Sequence, residues 1–68
     1  MSDVDQMIKM ANQIAENFAC YDDQVDRTAD HIQRFWASKM RNKLSAYIES
    51  GGGGVSEPAV QALKTLEN

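Results

Sequence analysis

The stretch "ADHIQRFWASKMRNKL", residues 29–44, holds the only Trp and the only His of the chain. Ala29, Ile32 and Trp36 recur at three- and four-residue spacings, which is the period of an amphipathic helix. The pattern breaks just before Ser38, and this serine is expected to cap a third helix. One long kinked helix is the competing interpretation. The stretch therefore decides how many helices the chain forms.

The rest of the chain shows the same helical period. Ser2 or Asp3 can cap a first helix, because a short side-chain oxygen accepts from the free amides of a first turn. Glycines 51–54 end the third helix, since glycine is unfavourable inside helices. Ser56 and Pro58 then suit the start of a fourth. The predicted helices cover residues 3–19, 23–36, 39–50 and 57–66, with a Gly-rich linker at 51–54.

Length and composition limit the architecture. A chain of 68 residues makes one domain, residues 1–68, and buries only about 60% of its unfolded surface. Cys20 is the only cysteine, so an intramolecular disulfide is excluded, and the thiol is expected to be a small buried hydrophobe in a reducing compartment. With no strand pattern, the expected fold is all-α, a small bundle of three to four short helices.

Several kinds of site and segment are disfavoured. His31 and Cys20 are too few for a zinc centre, which takes three or four protein ligands. The glycine run follows a helix and lacks the Lys-Ser/Thr ending of a phosphate-binding loop. Residues 1–10 carry two acids before the first Lys, unlike a secretory signal. The longest apolar run, "FACY" at residues 18–21, is far shorter than a membrane span, so no membrane partner is expected.

Charge is distributed unevenly along the chain. Residues 1–26 carry one Lys against six acids, whereas residues 27–43 carry five basic residues against one acid. The basic segment can be a solvated helix surface, a helix-turn-helix contact to phosphates, or a protein interface. The net charge of -3 counts against nucleic acid. Trp, Phe, Met and Arg together are typical of binding hot spots, although Trp36 can equally belong to the core.

The chain contains four notable blocks: "IAENF" (14–18), "ADHIQRFW" (29–36), "MR" (40–41) and "GGGGVSEPAVQAL" (51–63). Together they resemble one known family, the small delta subunit of cytoplasmic NAD-dependent molybdenum or tungsten formate dehydrogenases. The resemblance covers roughly residues 7–66. Many members have Asp-Pro after the Trp, where this chain has Ala37 and Ser38. The corner that follows the Trp is therefore less fixed here.

The resemblance implies a noncatalytic accessory subunit in the cytoplasm that binds the catalytic alpha subunit and supports assembly or stability of the complex. The chain itself would bind no cofactor. The large subunits would carry molybdopterin with Mo or W, iron-sulfur clusters, FMN and the NAD site. Matching positions, besides the glycines, are Asp30, His31, Ile32, Arg34, Phe35, Trp36, Met40 and Arg41.

From these positions we predict a docking surface. Phe35 and Trp36 would bury against the alpha subunit, while Arg34, Arg41 and His31 would pair with its acids or carbonyl oxygens. The predicted partner-binding residues are His31, Arg34, Phe35, Trp36, Met40 and Arg41. The alternative function is a small helical nucleic-acid-binding regulator that uses residues 27–43, with binding that weakens steeply in salt. An independent enzyme is the weakest hypothesis, since the chain offers no paired base and nucleophile.

Overall fold

Four α-helices make up the regular structure of residues 3–67, the part of the chain that the computed structural model describes. These residues contain no strand, so the predicted all-α bundle of short helices is confirmed. The bundle extends 30 × 22 × 20 Å along its principal axes. The helices are α1 (Asp3–Asn17), α2 (Gln24–Phe35), α3 (Ser38–Glu49) and α4 (Glu57–Leu66).

The core lies between all four helices and depends on small side chains. α1 and α4 each contact the three other helices, and the most extensive contact is between α2 and α4. Alanines in the core let the helix axes approach closely, because interaxial distance depends on the side chains at the contact. The buried cluster contains Met7, Ala11, Ala15, Ile32, Trp36, Leu44, Ala59 and Leu63.

Two extended residues form the corner between α2 and α3, so the interpretation as one long kinked helix is wrong. The Trp36 amide still donates to the Ile32 carbonyl oxygen at 2.9 Å, which completes the last turn of α2. Trp36 and Ala37 are then extended, with ψ of 139° and 151°. The prediction that Ser38 caps α3 is also wrong, because Ala37 occupies the cap position and Ser38 is the first helical residue.

The ends of the other helices differ in detail from the sequence-based expectation. α1 ends at Asn17 because the Phe18 and Ala19 amides bond to carbonyl oxygens three residues back, a tighter pattern than the α-helix. Ser2, one of the two candidate caps of α1, lies outside the described residues, and the other, Asp3, is already helical. Asp23 occupies the N-cap position of α2, but its side chain makes no capping hydrogen bond.

The glycine-rich segment ends α3 in a Schellman motif. The Gly52 amide donates to the Tyr47 carbonyl oxygen and the Gly51 amide to that of Ile48, both at 3.0 Å. Gly51 adopts φ of 95°, a conformation that other residues rarely adopt. A Cβ at Gly52 would overlap the ring of Tyr47, whose hydroxyl donates to the Gly53 carbonyl oxygen at 2.7 Å. These hydrogen bonds hold the glycine-rich segment against the end of α3.

The side chain of Asn12 in α1 forms hydrogen bonds with the backbone at the other end of this segment. Its Nδ2 donates to the Gly54 carbonyl oxygen and its Oδ1 accepts from the Ser56 amide, both at 2.8 Å. Ser56 holds the predicted N-cap position of α4, yet its hydroxyl forms no capping bond and has no partner among the described residues. The Asn12 amide, rather than the serine hydroxyl, therefore positions the start of α4.

Candidate functional site

An open groove lies between α1 and α2, and Met40 in the first turn of α3 also contributes to its wall. Its volume is about 560 Å³, within the range of small-ligand and peptide-accepting clefts. We call it the apolar groove, because most of its wall consists of hydrophobic and aromatic side chains. It is lined by Lys9, Met10, Gln13, Ile14, His31, Phe35, Trp36 and Met40.

Phe35 and Trp36 are adjacent in sequence and have opposite environments. Phe35, the last residue of α2, is 71% exposed, whereas Trp36 is 6% exposed and belongs to the core cluster. The reason is the corner: the backbone leaves the helical conformation at Trp36, and the indole enters the bundle. Of the two interpretations of Trp36, the structure shows the core one. Its indole still forms part of the groove wall.

The α1 side of the groove is formed by residues outside the predicted set. Met10 is 43% exposed, and Ile14, one turn later, is half-buried. Their four-residue spacing puts them on the same side of α1 and is visible in the sequence. What the sequence does not reveal is that this side of α1 faces α2 across an open groove.

The His31 ring lies near two other aromatic rings, that of Phe35 on α2 and that of Phe18 in the turn after α1. Its ring centroid is 4.7 Å from that of Phe35 and 6.5 Å from that of Phe18. The side chain is half-buried and lines the apolar groove together with Phe35. The structure thus brings together four of the six predicted partner-binding residues: His31, Phe35, Trp36 and Met40.

The two predicted arginines lie apart from the groove lining. Arg34 is 71% exposed at its side chain, and its Nε lies 3.0 Å from an Asp30 carboxylate oxygen one turn earlier. Arg41 is half-buried on α3. Because α2 ends at Phe35, the seven-residue spacing of the two arginines no longer places them on one helix face.

Acidic neighbours match much of the charge in the basic segment. Arg27 Nε contacts the Asp23 carboxylate at 2.7 Å, and its guanidinium lies 4.0 Å from the centre of the Tyr21 ring. The hydrogen bond from Arg27 lowers the pKa of Asp23, and the same bond raises the pKa of Arg27. Lys43 lies 3.6 Å from Asp3 of α1. These pairs leave fewer cations for phosphate contacts, which weighs against the nucleic-acid hypothesis.

The thiol of Cys20 is exposed, so the prediction of a small buried hydrophobe is wrong. Cys20 lies in the turn that follows α1, outside the packed helix faces. Among residues 3–67, no three side chains of His, Cys, Asp or Glu gather as a metal site would need. In the same part of the chain, every helix is too short or too polar to cross a membrane.

Comparison with known proteins identifies one relationship. A family model described as NADH-dependent formate dehydrogenase delta subunit FdsD matches residues 6–63. Neither the curated proteins nor the solved structures contain a match. The matched segment includes most of α1, all of α2 and α3, the glycine loop and most of α4. Because the match covers far more than half of its length, the chain belongs to the family of NADH-dependent formate dehydrogenase delta subunits.

Proposed function

We propose that this chain is a noncatalytic accessory subunit that binds the catalytic alpha subunit of an NAD-dependent formate dehydrogenase and supports the assembly or stability of that complex. Family membership supports the subunit role. The observation that carries the binding role is the 71% exposure of Phe35 at the edge of the apolar groove.

The physical argument concerns surface that the bundle does not cover. Phe and Tyr side chains bury roughly 150–250 Å² each when they are enclosed, and exposed apolar patches typically mark interaction sites. Phe35 and Met10 stand on opposite sides of the apolar groove, and both are exposed. A partner that covers them would gain apolar burial without rearranging the core.

In this proposal the chain contributes structure rather than chemistry. The larger subunits would carry molybdopterin with Mo or W, iron-sulfur clusters, FMN and the NAD site, and the complex would act in the cytoplasm. A subunit that occupies a fixed surface of the alpha chain would stabilise it by mass action, because binding to the folded form alone shifts the folding equilibrium.

The test is a quantitative co-purification with the alpha subunit, using Phe35→Ala. If Phe35 is a hot spot, its truncation costs about 2 kcal/mol or more, which raises the dissociation constant about 30-fold. Tyr21→Ala is the matched control, because Tyr21 is an aromatic residue of 46% exposure that does not line the groove. Unchanged binding of the Phe35 variant, or equal loss in both variants, would contradict the proposal.

A second measurement distinguishes a permanent subunit from a maturation factor. A permanent subunit co-purifies with the mature enzyme at fixed stoichiometry. A maturation factor associates with the cofactor-free enzyme and dissociates after cofactor insertion. Mass spectrometry of the complex isolated from the native host, with and without molybdate or tungstate in the medium, separates the two roles.

A further inference from the structure

The two sides of the apolar groove have matching helical periodicity. Met10 and Ile14 form a row four residues apart on α1, and His31 and Phe35 form a row four residues apart on α2. Side chains spaced four residues apart form ridges on a helix surface, and the side chains of another helix pack into the grooves between such ridges. The groove therefore has a ridge on each side against which a helix of a partner can pack.

The chemistry of the groove also favours a helix over an extended peptide. An extended peptide needs partners for its backbone amides and carbonyls, which a sheet edge would supply. Residues 3–67 contain no strand, and the groove wall consists of side chains, mostly apolar. An α-helix satisfies its own backbone and needs only apolar contacts. The groove can accept a helix without leaving buried amides unpaired.

The charge of the groove lining restricts which helix can bind there. Within residues 3–67, the groove is lined by one cation, Lys9, and by no Asp or Glu. Lys9 lies one position before Met10 and is exposed. An acidic side chain opposite Lys9 on the docked helix would pair with this ammonium group, whereas a basic side chain at the same position would be repelled.

We propose that the apolar groove binds an amphipathic α-helix of the catalytic subunit that presents large apolar side chains at helical spacing and an acidic residue opposite Lys9. The inference rests on the proposed function, since it assigns the structural class of the segment through which that partner docks. Met10, Ile14 and Phe35 would contact the apolar face of that helix, and Trp36 would form the inner wall.

Site-specific photo-crosslinking in the full complex tests whether the segment that occupies the groove is helical. Gln13 is exposed and lines the groove, so benzoylphenylalanine in its place would react with whatever occupies it. We expect crosslinks to one segment of the catalytic subunit, at residues three and four positions apart. Crosslinks at a spacing of two, or spread over several loops, would overturn the helix while leaving the proposed function intact. The absence of any crosslink to that subunit, in a complex that contains both chains, would overturn the groove as the docking site, whereas failure of the two chains to co-purify would contradict the proposed function itself.

Reversing the charge of Lys9 tests whether an acidic residue of the docked helix lies opposite it. Lys9→Glu should weaken binding of the catalytic subunit about five-fold, the effect of losing one solvent-exposed ion pair. Lys39→Glu, on the exposed surface of α3, makes the same change in net charge outside the groove and serves as the control. Equal effects of the two reversals, or none for Lys9→Glu, would overturn the assignment of an acidic residue opposite Lys9.

Discussion

The two sides of α2 differ in how completely this chain covers them. α2 makes its most extensive contact with α4, where Ala29 and Ile32 of α2 are buried and α4 contributes the buried alanines Ala59 and Ala62. On the side that lines the groove, Phe35 is 71% exposed and His31 is half-buried. Small residues allow close contact with α4, whereas the longer side chains on the α1 side keep a groove open. The comparison teaches that a thin helical bundle can be well packed on one side and incomplete on the other.

Truncating one residue on each side of α2 sharpens this comparison most. Ile32→Ala should lower the free energy of unfolding by about 2–5 kcal/mol, because Ile32 is fully buried and the cavity is not refilled. Phe35→Ala should change it by no more than about 0.5 kcal/mol, as is usual for exposed positions. Urea melts followed by circular dichroism measure both. Similar losses in the two variants would mean that Phe35 is part of the chain's own core.

Neighbouring residues of α1 allow a second, smaller contrast. Asn12→Ala removes both hydrogen bonds to the loop before α4 and should cost about 1–2 kcal/mol, since it leaves a half-buried amide unpaired. Gln13→Ala removes only an exposed bond to Asn17 at 3.1 Å and is the control. Thermal melts of the two variants measure the loss of stability in each. A loss for Asn12→Ala no larger than that for the control would show that the loop holds its position without this side chain.

The corner between α2 and α3 can be made more rigid. Ala37 has φ of -67° and ψ of 151°, which suit a residue before proline, and Ser38 is the first helical residue, where no amide hydrogen is needed. The double substitution Ala37→Asp with Ser38→Pro should raise stability by about 1 kcal/mol, through the cap and through reduced freedom of the unfolded chain. A lower melting temperature than wild type would contradict this backbone geometry.

The smallest expected effect concerns two exposed carboxyl groups, those of Glu49 at the end of α3 and Glu67 after α4. A hydrogen bond with the Glu49 carboxyl raises the pKa of Glu67, and the charge of Glu49 adds to the effect. The stabilising contribution of protonated Glu67 is therefore fully present below the ordinary Glu pKa of about 4.3 and is lost as pH rises through the raised pKa.

Glu67→Gln should remove this pH dependence, because the amide stays neutral and can still donate to Glu49. Urea midpoints of the variant, measured between pH 4 and pH 7, should decline less with pH than those of wild type. Glu16→Gln makes the same change in charge on the exposed surface of α1 and is the control. Identical pH profiles for wild type and Glu67→Gln would contradict the interaction between the two carboxyl groups.

Local patterns in the sequence predicted the helices, and long-range contacts account for what they missed. Apolar spacing and the glycine run were sufficient for an all-α bundle. Periodicity alone placed Phe35 and Trp36 on one face, but the backbone leaves the helix at Trp36 and separates them. The role of Asn12 could not be seen locally, since its partner Ser56 is 44 residues away.

The site was predictable on one side only. The α2 side of the groove carries aromatic residues that composition singles out, and the structure brings His31, Phe35, Trp36 and Met40 together. The α1 side contains Met10 and Ile14, which look like ordinary members of an amphipathic stripe. Only the packing of α1 against α2 reveals that these two residues border an open surface.

The indole of Trp36 gives the molecule a spectroscopic property. It is the only Trp of the chain, it is 6% exposed, and it forms part of the groove wall. Its fluorescence in the free protein should already be blue-shifted by burial, and a Trp-free peptide docking beside it would change the quenching of that emission. The chain therefore carries an intrinsic optical reporter at the surface where we expect the catalytic subunit to bind.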